Sequence, residues 1–159
     1  MAVVKQARRY LAGAPLTAKG FSFEPDPIGF VRAAFWAAGI DLYDAQVAED
    51  AKADGMAILF RSTSVRSELH RQLPRPGDLV FLDGRPRQTD LYPSGVAVVE
   101  RVDGSGTVVA IGSFAKGPTR IALNLREPEA GGGRNDLLAR DNAPALPAGV
   151  LFRSFADPF

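Results

Sequence analysis

The chain has 159 residues, 46% of them hydrophobic and 23% charged, which is enough apolar material for a single domain over 1–159 with a real core. A net charge of +1, with arginines spread among acids, offers no concentrated basic patch and argues against a nucleic-acid partner. The absence of cysteine excludes a disulfide framework, a thiolate zinc site and a cysteine nucleophile.

The start, MAVVKQARRYLAGAPL, lacks the apolar run of a signal peptide, and no stretch of eighteen apolar residues occurs anywhere, so no membrane insertion is expected. Val3, Val4, Ala7, Tyr10 and Leu11 recur at helical spacing until Gly13 and Pro15 end the run. Asp26 stands where an N-cap belongs and Pro27 at the first helical position, where its fixed φ fits and its missing N–H is no loss. Phe30, Val31, Ala34, Phe35 and Ala38 then share one broad face before Gly39 stops this second helix. Residues 44–52 read as a short amphipathic helix, and Met56, Leu59 and Phe60 as another running toward Arg71, interrupted by Ser62-Thr63-Ser64. Strands follow at 78–82 behind a Pro-Arg-Pro-Gly turn, at 96–102 and 107–112 around an Asp103-Gly104 hairpin turn, and at 119–125. Residues 127–133 read as a loop, 136–139 as a helical turn and 150–155 as a closing strand or helix. Helices first and an antiparallel meander after them predict an α+β fold, with the helix that starts at Pro27 laid across the sheet.

Three segments carry a family resemblance. DPIGFVRAAFWAAGIDL resembles the D-C-[ST]-G-F-V helix start of the NlpC and CHAP group of papain-like cell-wall peptidases and amidases; RPGDLVFL resembles that group's P-G-D-L-V-F-F strand; and SGVAVVERVDGSGTVVAIG is similar to its histidine-bearing hairpin. The resemblance covers Val3 to Leu125 and implies a papain-like α+β architecture. It places the family's cysteine on Pro27, its general-base histidine on Gly95, or on Ser94 with the register slipped by one, and its third polar residue on Gly112 or Ser113. None of these can serve the family's chemistry. The resemblance therefore implies a scaffold without catalysis: Pro27 and Gly95 on either side of one groove, with Asp26, Pro27, Tyr92, Ser94, Gly95 and Ser113 as the groove candidates.

Other residues carry alternative readings. The helix start at Asp26 is first of all a cap, although its free N–H groups could still hold an anion. His70, the only histidine, reads as a solvated residue of a polar helical stretch. Asp83 and Asp90 supply too few oxygens for calcium, so no metal and no cofactor are expected. Gly104, Gly106 and residues 131–133 read as turn and loop glycines, without the lysine of a phosphate loop. Trp36 falls opposite the Phe30 face beside Arg32, either packed under the first helix or serving as an interface anchor. The expected partner is a peptide or glycopeptide, by descent from a cell-wall hydrolase. The rivals are a protein partner, such as an active paralogue that the chain regulates, and a hydrolase using Ser94 or Ser113 with Asp90. The resemblance points to the cell envelope, while the residues alone leave the compartment open.

Overall fold

The structure, a computed structural model, describes residues 1–51, 54–86 and 91–159. In chain order the elements are α1 (Ala2–Leu11), β1 (Thr17–Ala18), β2 (Phe21–Ser22), α2 (Pro27–Ala37), α3 (Ala45–Ala51), α4 (Gly55–Arg66), β3 (Leu69–His70), β4 (Leu79–Leu82), β5 (Gly95–Val102), β6 (Thr107–Phe114), β7 (Gly117–Asn124), β8 (Leu137–Arg140), β9 (Ala143–Pro147), α5 (Ala148–Leu151) and β10 (Phe152–Ala156). Six strands form one antiparallel sheet in the order β3-β10-β4-β5-β6-β7, and β1–β2 and β8–β9 are separate hairpins. The mixed α+β class is thus as the residue pattern predicts.

Strand alternation divides the apolar residues between two faces. Leu79, Phe81, Val96, Val98 and Ile111 meet Val3, Ala7 and Tyr10 of α1 and Phe30, Val31, Ala34 and Phe35 of α2. Val80, Leu82, Ala97, Val99, Val108, Ala110, Ile121 and Leu123 form a second core with Ala148, Phe152 and Phe155 on the far face. Phe30, Phe35, Phe81 and Phe155 are all fully buried, and Tyr10 lies edge-on to Phe30 at 5.7 Å between ring centres. Each such side chain contributes about 2–3 kcal/mol of burial, so both faces hold the sheet.

Glu100 is the extra residue of a bulge: Val99 pairs with Ala110 while Arg101 pairs with Val109. The bulge turns its carboxylate into a buried junction between α1, β5 and β7. Arg120 grips it twice, Nε to Oε1 and Nη2 to Oε2, both at 2.9 Å; Arg8 Nε donates to Oε2 at 2.7 Å and Arg101 Nη1 to Oε1 at 2.7 Å. The hydrogen bonds of Arg120, joined by Arg8, outweigh burial and hold the Glu100 carboxyl down to about 2.

Several local expectations need correction. Residues 137–140 are strand β8 rather than a helical turn, because they pair with β9 across a turn in which Asn142 has φ 55°. The helix from residue 55 runs through Ser62-Thr63-Ser64, since Thr63 Oγ1 and Ser64 Oγ donate to the carbonyls of Leu59 and Phe60 four residues back, and it ends at Arg66. His70 belongs to β3, paired with Phe155 of β10 and partly buried, with Nε2 3.9 Å from Asp78 Oδ2. Residues 150–155 are both a helical turn and a strand. The end of the 44–52 helix at Lys52, and Asp90, lie outside the described residues.

Candidate functional site

The start of α2 is built as its residues predict. Asp26 has extended backbone, its Oδ1 accepts the N–H of Gly29 at 2.7 Å, and Pro27 takes the first helical position. Gly29 is required for another reason: a Cβ there would stand 1.9 Å from the carbonyl oxygen of Glu24. The chain before the helix is pressed onto its first turn by the β1–β2 hairpin, whose two-residue Lys19-Gly20 turn has φ of 48° and 82°.

That close approach creates a cleft of about 570 Å³ beside the helix. Its walls are Phe21, Phe23, Ile28, Trp36 and Tyr43, with the carboxylates of Glu24, Asp26 and Asp41 and the guanidinium of Arg32 among them. Phe21, more than half exposed, meets Trp36 edge-on at 5.3 Å. Arg32 does not cover Trp36: its guanidinium lies 3.6 Å from the ring centre of Tyr43 and 5.6 Å from that of Phe23, and it reaches Asp41 at 3.9 Å. Tyr43 hydroxyl donates to the carbonyl of Gly55 at 3.3 Å, and burial pushes its phenol up despite the opposing Arg32. Trp36 is half-buried at the cleft wall rather than beneath α1, and its indole N–H is a buried donor without a hydrogen-bond partner among the described residues. Three carboxylates against one guanidinium, between aromatic walls, suit a ligand that presents amino or hydroxyl groups on an apolar body.

The other half of the expected groove lies elsewhere. Gly95 pairs with Leu82, and a side chain on it would extend toward Leu82 Cβ, 3.7 Å away, and the Phe114 ring. That is the far face of the sheet, because Val96 and Val98 are the β5 residues turned toward α2. Gly112 points the same way, and a Cβ there would stand 2.9 Å from Ala97 Cβ and 3.1 Å from the Phe114 ring, so a larger orienting residue does not fit without repacking. Ser94 and Gly95 line a smaller far-face cleft of about 310 Å³ with Leu82, Phe114, Leu138 and Arg140. The expectation that Pro27 and Gly95 share one groove is therefore corrected: Asp26 lines the first cleft, Gly95 the second, and no residue lines both.

The remaining candidates scatter. Ser113 is buried, its hydroxyl without a hydrogen-bond partner among the described residues. Tyr92 lies edge-on to Phe60 at 6.4 Å, away from the Trp36 cleft. Asp83 is bound by Arg153 Nε at 2.6 Å with both side chains largely buried, which leaves its charge committed. Among the described residues no group of three or more histidine or acidic side chains could hold a metal, and no helix is long and apolar enough to cross a membrane. Most of the cleft, from Phe21 to Glu24 and at Arg32, Asp41 and Tyr43, escapes sequence reasoning; the one available signal was the Lys-Gly turn between apolar flanks. No family model, curated protein or solved structure matches this chain.

Proposed function

We propose that the chain is a catalytically inactive relative of the NlpC and CHAP hydrolases, papain-like in architecture, acting as a binding domain for a peptide or glycopeptide. The observation that carries this reading is the open cleft at the α2 start, where aromatic faces and carboxylates take the place of a nucleophile. Sugar rings and peptide side chains stack on exposed aromatic faces, while carboxylates accept from hydroxyl and amino groups. The chain has no cysteine, and Pro27 occupies the helix start where the family's thiolate would sit. An open aromatic cleft favours such a ligand over regulation of an active paralogue, which would call for a covered groove and an apolar patch elsewhere. The hydroxyl-based hydrolase is favoured less, since the Ser113 hydroxyl finds no hydrogen-bond partner among the described residues, and Asp90, its expected helper, lies outside them.

Trp36 is the only tryptophan, so its emission reports the cleft directly. Titration with a disaccharide-peptide fragment of peptidoglycan is expected to give a saturable emission change, with the fragment recovered intact. No change at millimolar fragment would refute ligand binding in the cleft. Turnover that survives repurification and disappears in Ser94→Ala or Ser113→Ala would replace the binding domain with a hydroxyl-based hydrolase.

A further inference from the structure

Among the described residues, the edge of the six-stranded sheet at β7 is only half covered. The chain at Asn135 and Asp136 closes its second half: Asn124 N–H donates to Asn135 Oδ1 at 2.8 Å, Ala122 N–H to Asp136 Oδ2 at 2.7 Å, and Asp136 N–H to the Ala122 carbonyl at 2.9 Å. Beyond that point β8 diverges and leaves a groove of about 470 Å³ between Thr119, Arg120 and Ile121 on one side and Leu137, Leu138 and Ala139 on the other.

Register settles which main-chain groups line the groove. Because Ala122 N–H points outward, the antiparallel alternation sends the N–H and carbonyl of Arg120, and the carbonyl of Pro118, outward too. Pro118 has no N–H to lose, as suits an outward position on an edge strand. Arg120 N–H has no partner among the described residues, and its carbonyl receives only a long 3.4 Å contact from Thr119 Oγ1. The groove thus offers one donor and two acceptors at strand spacing.

The two sides of the groove differ chemically. Ile121, Phe114 and Leu138, all part of or packed on the far-face core, give it an apolar wall. On the helix side stands the Arg120 guanidinium, which with Arg8 and Arg101 shares the single carboxylate of Glu100, so that this junction behind the groove carries two excess positive charges. Lys116 lines the groove alongside, and the groove's one carboxylate, Asp136, is engaged by Ala122 N–H.

We infer that the open half of the β7 edge is a docking site for an extended segment of a protein partner whose residues alternate between apolar and acidic. The segment adds a short strand beside Pro118–Ile121, exchanging main-chain hydrogen bonds with Arg120; its apolar side chains rest on Ile121, Phe114 and Leu138, and its acidic ones face Arg120 and Lys116. This site shares no lining residue with the Trp36 cleft, so the two succeed or fail separately.

The test uses the unaltered protein and two capped hexapeptides, one alternating Glu and Val, the other Lys and Val. Amide hydrogen exchange read by NMR is expected to slow at Arg120 at least tenfold with saturating Glu-Val peptide, and that peptide should bind at least tenfold more tightly than Lys-Val. N-methylating alternate residues of the Glu-Val peptide should abolish the protection. Leu137, two-thirds exposed, permits a groove variant with little risk to folding: Leu137→Glu should weaken Glu-Val binding several-fold. The site is refuted if neither peptide protects Arg120 at millimolar concentration, if the two peptides bind equally, or if the perturbed amides centre on Trp36 instead.

Discussion

The two faces of the sheet are packed with equal care but leave different things open. On the helix face the opening is ringed by aromatic and acidic side chains around the start of α2; on the far face it is a small cleft lined in part by Gly95. Of the residues that a linear motif would unite, Asp26 lines the first and Gly95 the second. Strand alternation decides this, because a one-residue change of register moves every side chain to the opposite face. Motif spacing along the chain says which strand a residue occupies. It does not say which way that residue points.

The largest effects should come from the two cores. Phe30→Ala on the helix face and Phe155→Ala on the far face each remove a fully buried ring and are expected to cost about 3–5 kcal/mol in urea unfolding. They should separate in the native state: Phe30→Ala, on the helix that carries Trp36, shifts Trp36 emission, and Phe155→Ala leaves it unchanged. A Phe155→Ala cost below about 1 kcal/mol, where large core truncations cost several, would mean that the far face is not a core.

Glu100 joins the helices to the sheet, and its acid response measures that junction. Its folded value of about 2 lies below the ordinary 4.5, so the folded protein binds fewer protons there than the unfolded chain. The stabilisation is complete above about pH 4.5 and is lost as pH falls through 2, a difference on the order of 3 kcal/mol. Glu100→Gln should destabilise at pH 7 by about 2–3 kcal/mol and flatten the acid limb of the stability curve. An unchanged acid limb would show that the arginines bind the carboxylate no better than water does.

What was legible in the sequence follows the range of the interactions. Asp26-Pro27 predicts its helix start to the residue because capping is settled within three positions. The β5–β6–β7 meander was legible because its alternation is long and its turns are short. The pairing of His70 with Phe155 was not, since a two-residue strand exists only through a partner 85 positions away. Leu137–Arg140 has no local preference strong enough to separate a strand from a helical turn, and β9 decides it. The cleft is the least legible feature, being assembled from separate segments that meet where Gly29 lets Glu24 approach.

The smallest expected effect gives the sharpest distinction, because Asp26 is both a cap and a wall of the cleft. Asp26→Ala removes the acceptor for Gly29 N–H and should cost about 1 kcal/mol. Asp26→Asn keeps a side-chain oxygen for that bond and gives up only the negative charge at the positive end of α2, at an exposed position, a loss of about a few tenths of a kcal/mol. Asp54, whose Oδ1 accepts Ala57 N–H at 3.1 Å at the start of α4, lies outside the cleft lining and serves as the control: Asp54→Ala should cost about as much as Asp26→Ala without touching ligand affinity. Read through Trp36 emission with the peptidoglycan fragment, Asp26→Asn should weaken binding several-fold while barely moving the urea midpoint. If Asp26→Asn binds as the unaltered chain does, Asp26 is a helix cap alone, and the acidic character of the cleft rests on Glu24 and Asp41.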